Sequence, residues 1–365
     1  MWFDGAVSDE GRQRDREQRW RLQGETEAVV ATATAFVLGG GAGFVVLGGD
    51  PRPLTGPGSL AMPVAVIAGV VAACAFVVST LRHHRGEIAP MPRWQATISN
   101  LSAIALTVVF AALTAMGVLL AAEVLSSGLR GLELAAVGGG MLAGVASAAG
   151  GRFAYGAGIG LRTSDLAGIL FGFLVIGTMF AMATAADPRW WQHNFSTLGG
   201  GGAWAFNGTL VVAGLLVATV GAYIGRDLHR LLGDARIGRI GAVVALWAIT
   251  GAALSAVGIL PLDRLPVPHG VAAISTLVLF SAAAAATAAA VPDAPRALVI
   301  TTVGLLVLVV VAVVLCLGVG LFGVTALEAM VVGLGLVWMT TLVRVLAVLA
   351  PAASRPSARP MLRVR

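Results

Sequence analysis

The chain has 365 residues, 58% of them hydrophobic and only 12% charged, a net charge of +6 and a mean hydropathy of +0.89. A water-soluble protein carries about 25% charged residues, so this composition excludes an ordinary soluble enzyme and a disordered polyelectrolyte. All 24 basic residues are Arg, scattered among segment ends and tails, and that distribution argues against a nucleic-acid-binding face.

Residues 1–27 interleave Arg12, Arg14, Arg16, Arg19 and Arg21 with Asp9, Glu10, Asp15 and Glu17. The segment is too charged for a signal peptide and no cleavage signature follows it, so it reads as a charged cytoplasmic tail. Beyond it come ten apolar stretches of about twenty residues, the length a helix needs to cross the hydrocarbon. They fall near 28–48, 61–81, 98–122, 133–151, 166–186, 205–225, 240–260, 270–290, 297–318 and 324–349. Amides in lipid must be satisfied within their own segment, and these stretches lack the alternation of barrel strands. The expected fold is therefore all-α, a polytopic transmembrane helix bundle of about ten spans. Its expected domains are a four-span module over 28–151, a six-span module over 152–349 and a basic cytoplasmic tail over 350–365.

Basic residues near span ends are retained in the cytoplasm. With ten spans, twenty of the 24 Arg fall on one side, and only Arg52, Arg130, Arg189 and Arg264 fall on the other. Both termini are thereby expected in the cytoplasm. The Arg-only, Ala- and Gly-rich composition fits a GC-rich bacterial genome, so the expected location is a bacterial inner membrane.

Gly140 and Gly144, Gly168 and Gly172, and Gly221 and Gly225 have the small-xxx-small spacing that lets helices approach closely in lipid. They are expected to serve packing within the bundle, with a homodimer through such a face as an open alternative. Cys74 and Cys316 lie singly in apolar runs and read as small buried residues, not as a disulfide or a thiolate site. Gly156, Gly158 and Gly160 lack the preceding strand and the spacing of a nucleotide-binding loop.

The longest polar interruption runs from Trp190 to Asn207, between the fifth and sixth spans. The Arg pattern puts it on the extracytoplasmic face together with PLDRLPVPH, Pro261 to His269. The cytoplasmic segment between them, RDLHRLLGDARIGR, reads as a plain basic anchor. Asp187, His193 and Ser196 contain the letters of a hydrolytic triad, yet two of them sit three apart on one short loop with no nucleophile elbow. No catalytic residue is assigned on that ground. His193, His269, Asp187, Asp263 and Glu328 have no metal-binding spacing, so no metal and no cofactor are expected. The span centres carry no ionisable group, which argues against a charge-translocating pump. Glu328 is expected to reach the interface or to pair with an outer-loop Arg such as Arg264.

The run DPRWWQHNFSTLGGGGAWAFNGTL, followed by GILPLDRLPVPHGVAA, resembles the bacterial membrane-protein family known as domain of unknown function 998. The resemblance rests on Asn194, Ser196, Leu198, Gly199, Phe206, Asn207, Gly258, Pro261 and His269, and covers roughly residues 166–349. The four glycines at 199–202 depart from the loop expected of that family. The pattern is also similar to Frag and DRAM-like membrane proteins, which implies a role in lipid homeostasis by analogy alone.

These readings converge on a non-enzymatic integral membrane protein with an outer-face pocket for a lipid headgroup or lipid-linked ligand. His193, Asn194, Ser196, Asn207, Asp263 and His269 are its candidate lining, with Trp190, Trp191 and Trp204 as interfacial anchors. Membrane lipids are the expected partners, and no nucleic acid is. A lipid carrier or flippase, and a lipid-active hydrolase or transferase, are the competing readings.

Overall fold

A computed structural model describes residues 3–83, 93–201 and 203–350, with side chains from residue 22 onward except those of residues 93, 95 and 96. Ten long helices dominate it: α1 Phe3–Val46, α2 Ala61–Arg82, α3 Arg93–Gly128, α4 Ala136–Gly160 and α5 Thr163–Ala183. The rest are α6 Trp204–Leu232, α7 Ile237–Ile259, α8 Pro266–Ala290, α9 Arg296–Val313 and α10 Val324–Leu349. The only strands among the described residues are two-residue pieces, Arg52–Pro53 and Glu133–Leu134, paired antiparallel. The expected all-helical bundle is the observed fold.

Nine of the ten helices are long and apolar enough to cross a membrane. The exception is α4, where nine of 25 residues are glycine and Arg152 sits within the helix. Glycine adds length without apolar surface, which dilutes the hydropathy that membrane insertion requires. The charged segment before the first span is not a separate element, since α1 runs unbroken from Phe3 to Val46. Arg85 and the basic tail beyond Ala350 lie outside the described residues.

The helices bear large apolar side chains on their outer faces. Val45 and Val348 are each 78% exposed, and Ile300 is 68% exposed. Soluble monomers rarely present contiguous apolar patches beyond a few hundred Å², whereas lipid tails solvate such faces at no cost. Cys74, expected to be buried, is among the exposed residues, while Cys316 is buried and both thiols are free.

Two compact units divide the chain. The first comprises residues 1–84 and 124–159, the second residues 85–123 and 160–365. The second unit thus takes in α3 as far as Glu123, as well as the six helices that follow residue 160. In the first unit, Gly140 and Gly144 of α4 lie against α1, where an added Cβ would come within 3.1 Å of backbone oxygens. At one end of this unit the Glu27 carboxylate accepts the Tyr155 hydroxyl at 3.0 Å and faces His83 Nε2 at 3.0 Å. Ser79 Oγ donates to the Tyr155 carbonyl at 2.6 Å, tying α2 to α4.

In the second unit α5, α6, α7, α8, α9 and α10 each contact the next, and α10 returns to α5, so the six close into a ring. Gly221 and Gly225 of α6 press against Trp247 and Val244 of α7, leaving no room for a Cβ. Gly168 and Gly172 of α5 face open space instead. Midway along the helices, Trp247 stacks on Trp338 at 6.0 Å and Phe280 meets both edge-on, at 5.5 and 6.0 Å. Each indole N–H has a hydroxyl acceptor, Thr287 at 3.0 Å and Thr302 at 2.8 Å. Both threonines in turn donate to carbonyls of their own helices, so no polar atom of the group is stranded in the apolar core. At this level the ring is filled.

The segment expected as a plain basic loop is partly helix and partly buried. Arg226 and Asp227 lie inside α6 at 3% and 5% exposure. Asp227 accepts the Thr163 hydroxyl at 2.5 Å, and the Arg226 guanidinium lies 4.1 Å above the Tyr223 ring. These charges escape a reading of span centres because they sit in the last turns of the helix.

Candidate functional site

The connection between α5 and α6 folds as two 3₁₀ turns, Trp190–Gln192 and Phe195–Gly199. Short polar side chains in such segments bond to the local backbone in place of helix or sheet partners. Asn194, extended in its backbone, caps the second turn by accepting the Thr197 N–H on Oδ1 at 3.0 Å. Thr197 Oγ1 donates back to the Asn194 carbonyl at 2.6 Å. Asp187 is occupied in the same way, accepting the Arg189 N–H at 2.8 Å.

Four further bonds tie this loop to the helix ends around it. Phe195 N–H donates to Glu328 Oε2 at 2.7 Å, and Thr325 Oγ1 donates to the Trp191 carbonyl at 2.8 Å, both reaching α10. Gly201 N–H donates to Asp263 Oδ2 at 3.2 Å in the α7–α8 connection. Asn207, in the first turn of α6, donates from Nδ2 to the Gly199 carbonyl at 3.0 Å. Gly199 sits so close to the Asn207 carboxamide that a Cβ there would overlap it. Glu328, expected to reach the interface or to pair with an outer-loop Arg such as Arg264, therefore holds a backbone amide.

The most consequential contact joins residues from two connections. Pro266 and Pro268 open α8, a position where a missing N–H costs nothing, and they bring His269 into its first turn. His269 is 4% exposed, with Nδ1 at 2.7 Å from the Leu260 carbonyl and Nε2 at 2.9 Å from Ser196 Oγ. A carbonyl only accepts, so Nδ1 carries the proton in the neutral ring and Nε2 presents its lone pair to the serine hydroxyl. The hydrogen-bond network assigns this tautomer.

The sequence-derived candidates therefore separate into two groups. Asn194, Ser196, Asn207, Asp263 and His269 take part in the bonds that hold the α5–α6 connection, each with an intramolecular partner. His193 is exposed. The triad letters do not assemble, because Ser196 meets His269 and Asp187 serves its own turn. Trp191 and Trp204 are 56% and 50% exposed, while Trp190 packs against Phe195 at 5.1 Å and Trp204 lies 6.1 Å from Phe180. Among the described residues, no three His, Cys, Asp or Glu side chains come together as a metal site would require.

One participant was missed in the sequence, and a second was seen without its partner. The Leu260 carbonyl carries no side-chain signal at all. Glu328 carried one, an isolated acid in the outer turn of the last span, but its partner is a backbone amide 133 residues away. A separate cavity of about one water's size lies toward the other end of α6, lined by Trp94, Ser99, Ser102, Tyr223, Arg226 and Val244.

Fold and exposed apolar faces define a multi-pass integral membrane protein with an ordered polar cap at one end of its second unit. Comparison of the chain with protein-family models, with curated proteins and with solved structures returns no match.

Proposed function

We propose that the second unit binds a lipid headgroup or lipid-linked ligand at the extracytoplasmic face of a bacterial inner membrane. The observation that carries this reading is the pair of outward-facing indoles, Trp191 and Trp204, beside exposed His193 and Arg189 on a bonded loop. Indoles favour the headgroup level, where one side of the ring is apolar and the other wet. A loop whose amides are already tied loses little entropy when a ligand docks on it. The Arg distribution supports the extracytoplasmic placement, and kinship with domain of unknown function 998 proteins is part of the same proposal. So is the homodimer alternative, for which the open glycine pair Gly168 and Gly172 offers a face.

The carrier reading has less support, since Trp247, Phe280 and Trp338 fill the helix ring midway. Tryptophan fluorescence of the full chain in nanodiscs tests the headgroup reading. Phospholipids brominated near the headgroup should quench it, and Trp191→Phe with Trp204→Phe should remove most of that quenching. Quenching unchanged in the double variant would overturn the assignment of these indoles.

A further inference from the structure

We infer that Ser196 is a nucleophile, activated by His269, toward the carboxylic ester of a membrane lipid. For its substrate class the inference rests on the headgroup reading above, and it adds a chemical activity to that reading.

A serine hydroxyl is a poor nucleophile until a positioned base takes its proton. Three geometric conditions define such a base: hydrogen-bond reach to the serine, the correct tautomer, and a third group that holds the ring. His269 meets all three. Nε2 lies 2.9 Å from Ser196 Oγ, and the 2.7 Å bond from Nδ1 to the Leu260 carbonyl orients the ring and keeps the proton off Nε2. The carbonyl occupies the place that a carboxylate holds in the usual triad. It fixes the tautomer equally well but brings no negative charge for the imidazolium that forms. Glu328 is anchored on the amide of Phe195, the residue next to the serine.

Burial of the pair, at 8% for Ser196 and 4% for His269, keeps bulk water away and strengthens the bond between them. Ser196 also sits on the same loop as Trp191, whose indole is placed at headgroup level in the reading above. That is the depth at which the acyl esters of membrane lipids begin. In the reaction Ser196 Oγ bonds to the acyl carbon as its proton passes to His269 Nε2. The bond from that carbon to the alcohol oxygen breaks, and the departing oxygen takes the proton from Nε2. Water then attacks the acyl-serine through the same proton relay, releasing a carboxylic acid and restoring the hydroxyl.

A pin that merely closes the loop would use the same bond without reactivity, and a fluorophosphonate separates the two. Attack by Ser196 forms an Oγ–P bond, expels fluoride and sends the proton to His269. Full-length protein in nanodiscs is treated with an alkyl fluorophosphonate and mapped by peptide mass spectrometry, with brominated-lipid quenching measured on the same sample. The expected result is a phosphonyl group on Ser196, absent in Ser196→Ala and formed at least tenfold more slowly in His269→Gln. An unmodified Ser196 in the wild-type protein overturns the inference without recourse to any variant. If quenching persists in that sample, the headgroup reading stands and only the nucleophile fails. Modified Ser196 without headgroup quenching upholds the nucleophile and removes the headgroup reading. Modification unaffected by His269→Gln, in a variant that retains the wild-type melting temperature, overturns the role of the histidine as base.

Discussion

Trp247 of α7 and Trp338 of α10 stack at 6.0 Å with their planes 23° apart, joining helices on different sides of the ring in the second unit. The two indoles face each other midway between the ends, and each is fully buried with its N–H bonded to a threonine. Replacing either by Ala removes packing on both helices and leaves a threonine hydroxyl without its donor. In water such truncations cost about 3–5 kcal/mol. Lipid removes much of the transfer contribution, so a loss of roughly 3 kcal/mol is expected for Trp338→Ala. Equilibrium unfolding in mixed micelles by SDS titration measures it.

The glycine pairs should differ sharply in tolerance. Gly221→Leu drives a side chain into Trp247, and Gly225→Leu does the same to Val244. Both are expected to abolish the monodisperse peak in size-exclusion chromatography. Gly168→Leu, at a position open to its surroundings, should elute as the wild type does. A shift to smaller apparent mass at Gly168→Leu would instead mark that face as a subunit contact.

Gly199→Ala places a methyl group on the Asn207 carboxamide and should displace the end of the second 3₁₀ turn. Overpacking of this kind costs about 1–3 kcal/mol. The expected outcome is a lower melting temperature together with weaker headgroup quenching, since the loop that carries Trp191 is re-aimed. Gly201→Ala supplies the contrast: it meets no neighbour but must hold φ at +65°. Its penalty should be only about 1 kcal/mol, from backbone strain alone.

Membrane orientation is read by cysteine labelling in intact cells, with Cys74 and Cys316 replaced by Ala. Thr197→Cys should react with an impermeant maleimide from outside, and Ala235→Cys should react only after permeabilisation. Labelling of Ala235→Cys from outside would invert the orientation. A reporter placed at Gly160, the last residue of α4, decides whether that glycine-rich helix crosses the membrane as the other nine helices are suited to do.

Within the candidate site, legibility followed the range of the interaction. The Asn194 cap and the local bonds of Thr197 involve residues three apart, and short polar residues in a glycine-rich loop announce such turns. The bond from Ser196 to His269 spans 73 residues. The sequence offered His193 as the nearer histidine, and nothing local distinguishes the two. Burial of Arg226 and Asp227 was equally hidden, because hydropathy averages over a window and loses two charges against a helix end.

The positions of the helices were determined by the sequence alone. Twenty apolar residues in lipid must satisfy their own amides, and that requirement acts within each segment. Only the tertiary structure decided how the segments group and what their polar ends do. Helix association in lipid depends on shape, small residues and scattered hydrogen bonds, none of which has a period along the chain. That is why α3 joins the second unit across the sequence order. It is also why the loop from Trp190 to Asn207 acquires its chemistry from a carbonyl at Leu260, an imidazole at His269 and a carboxyl at Glu328.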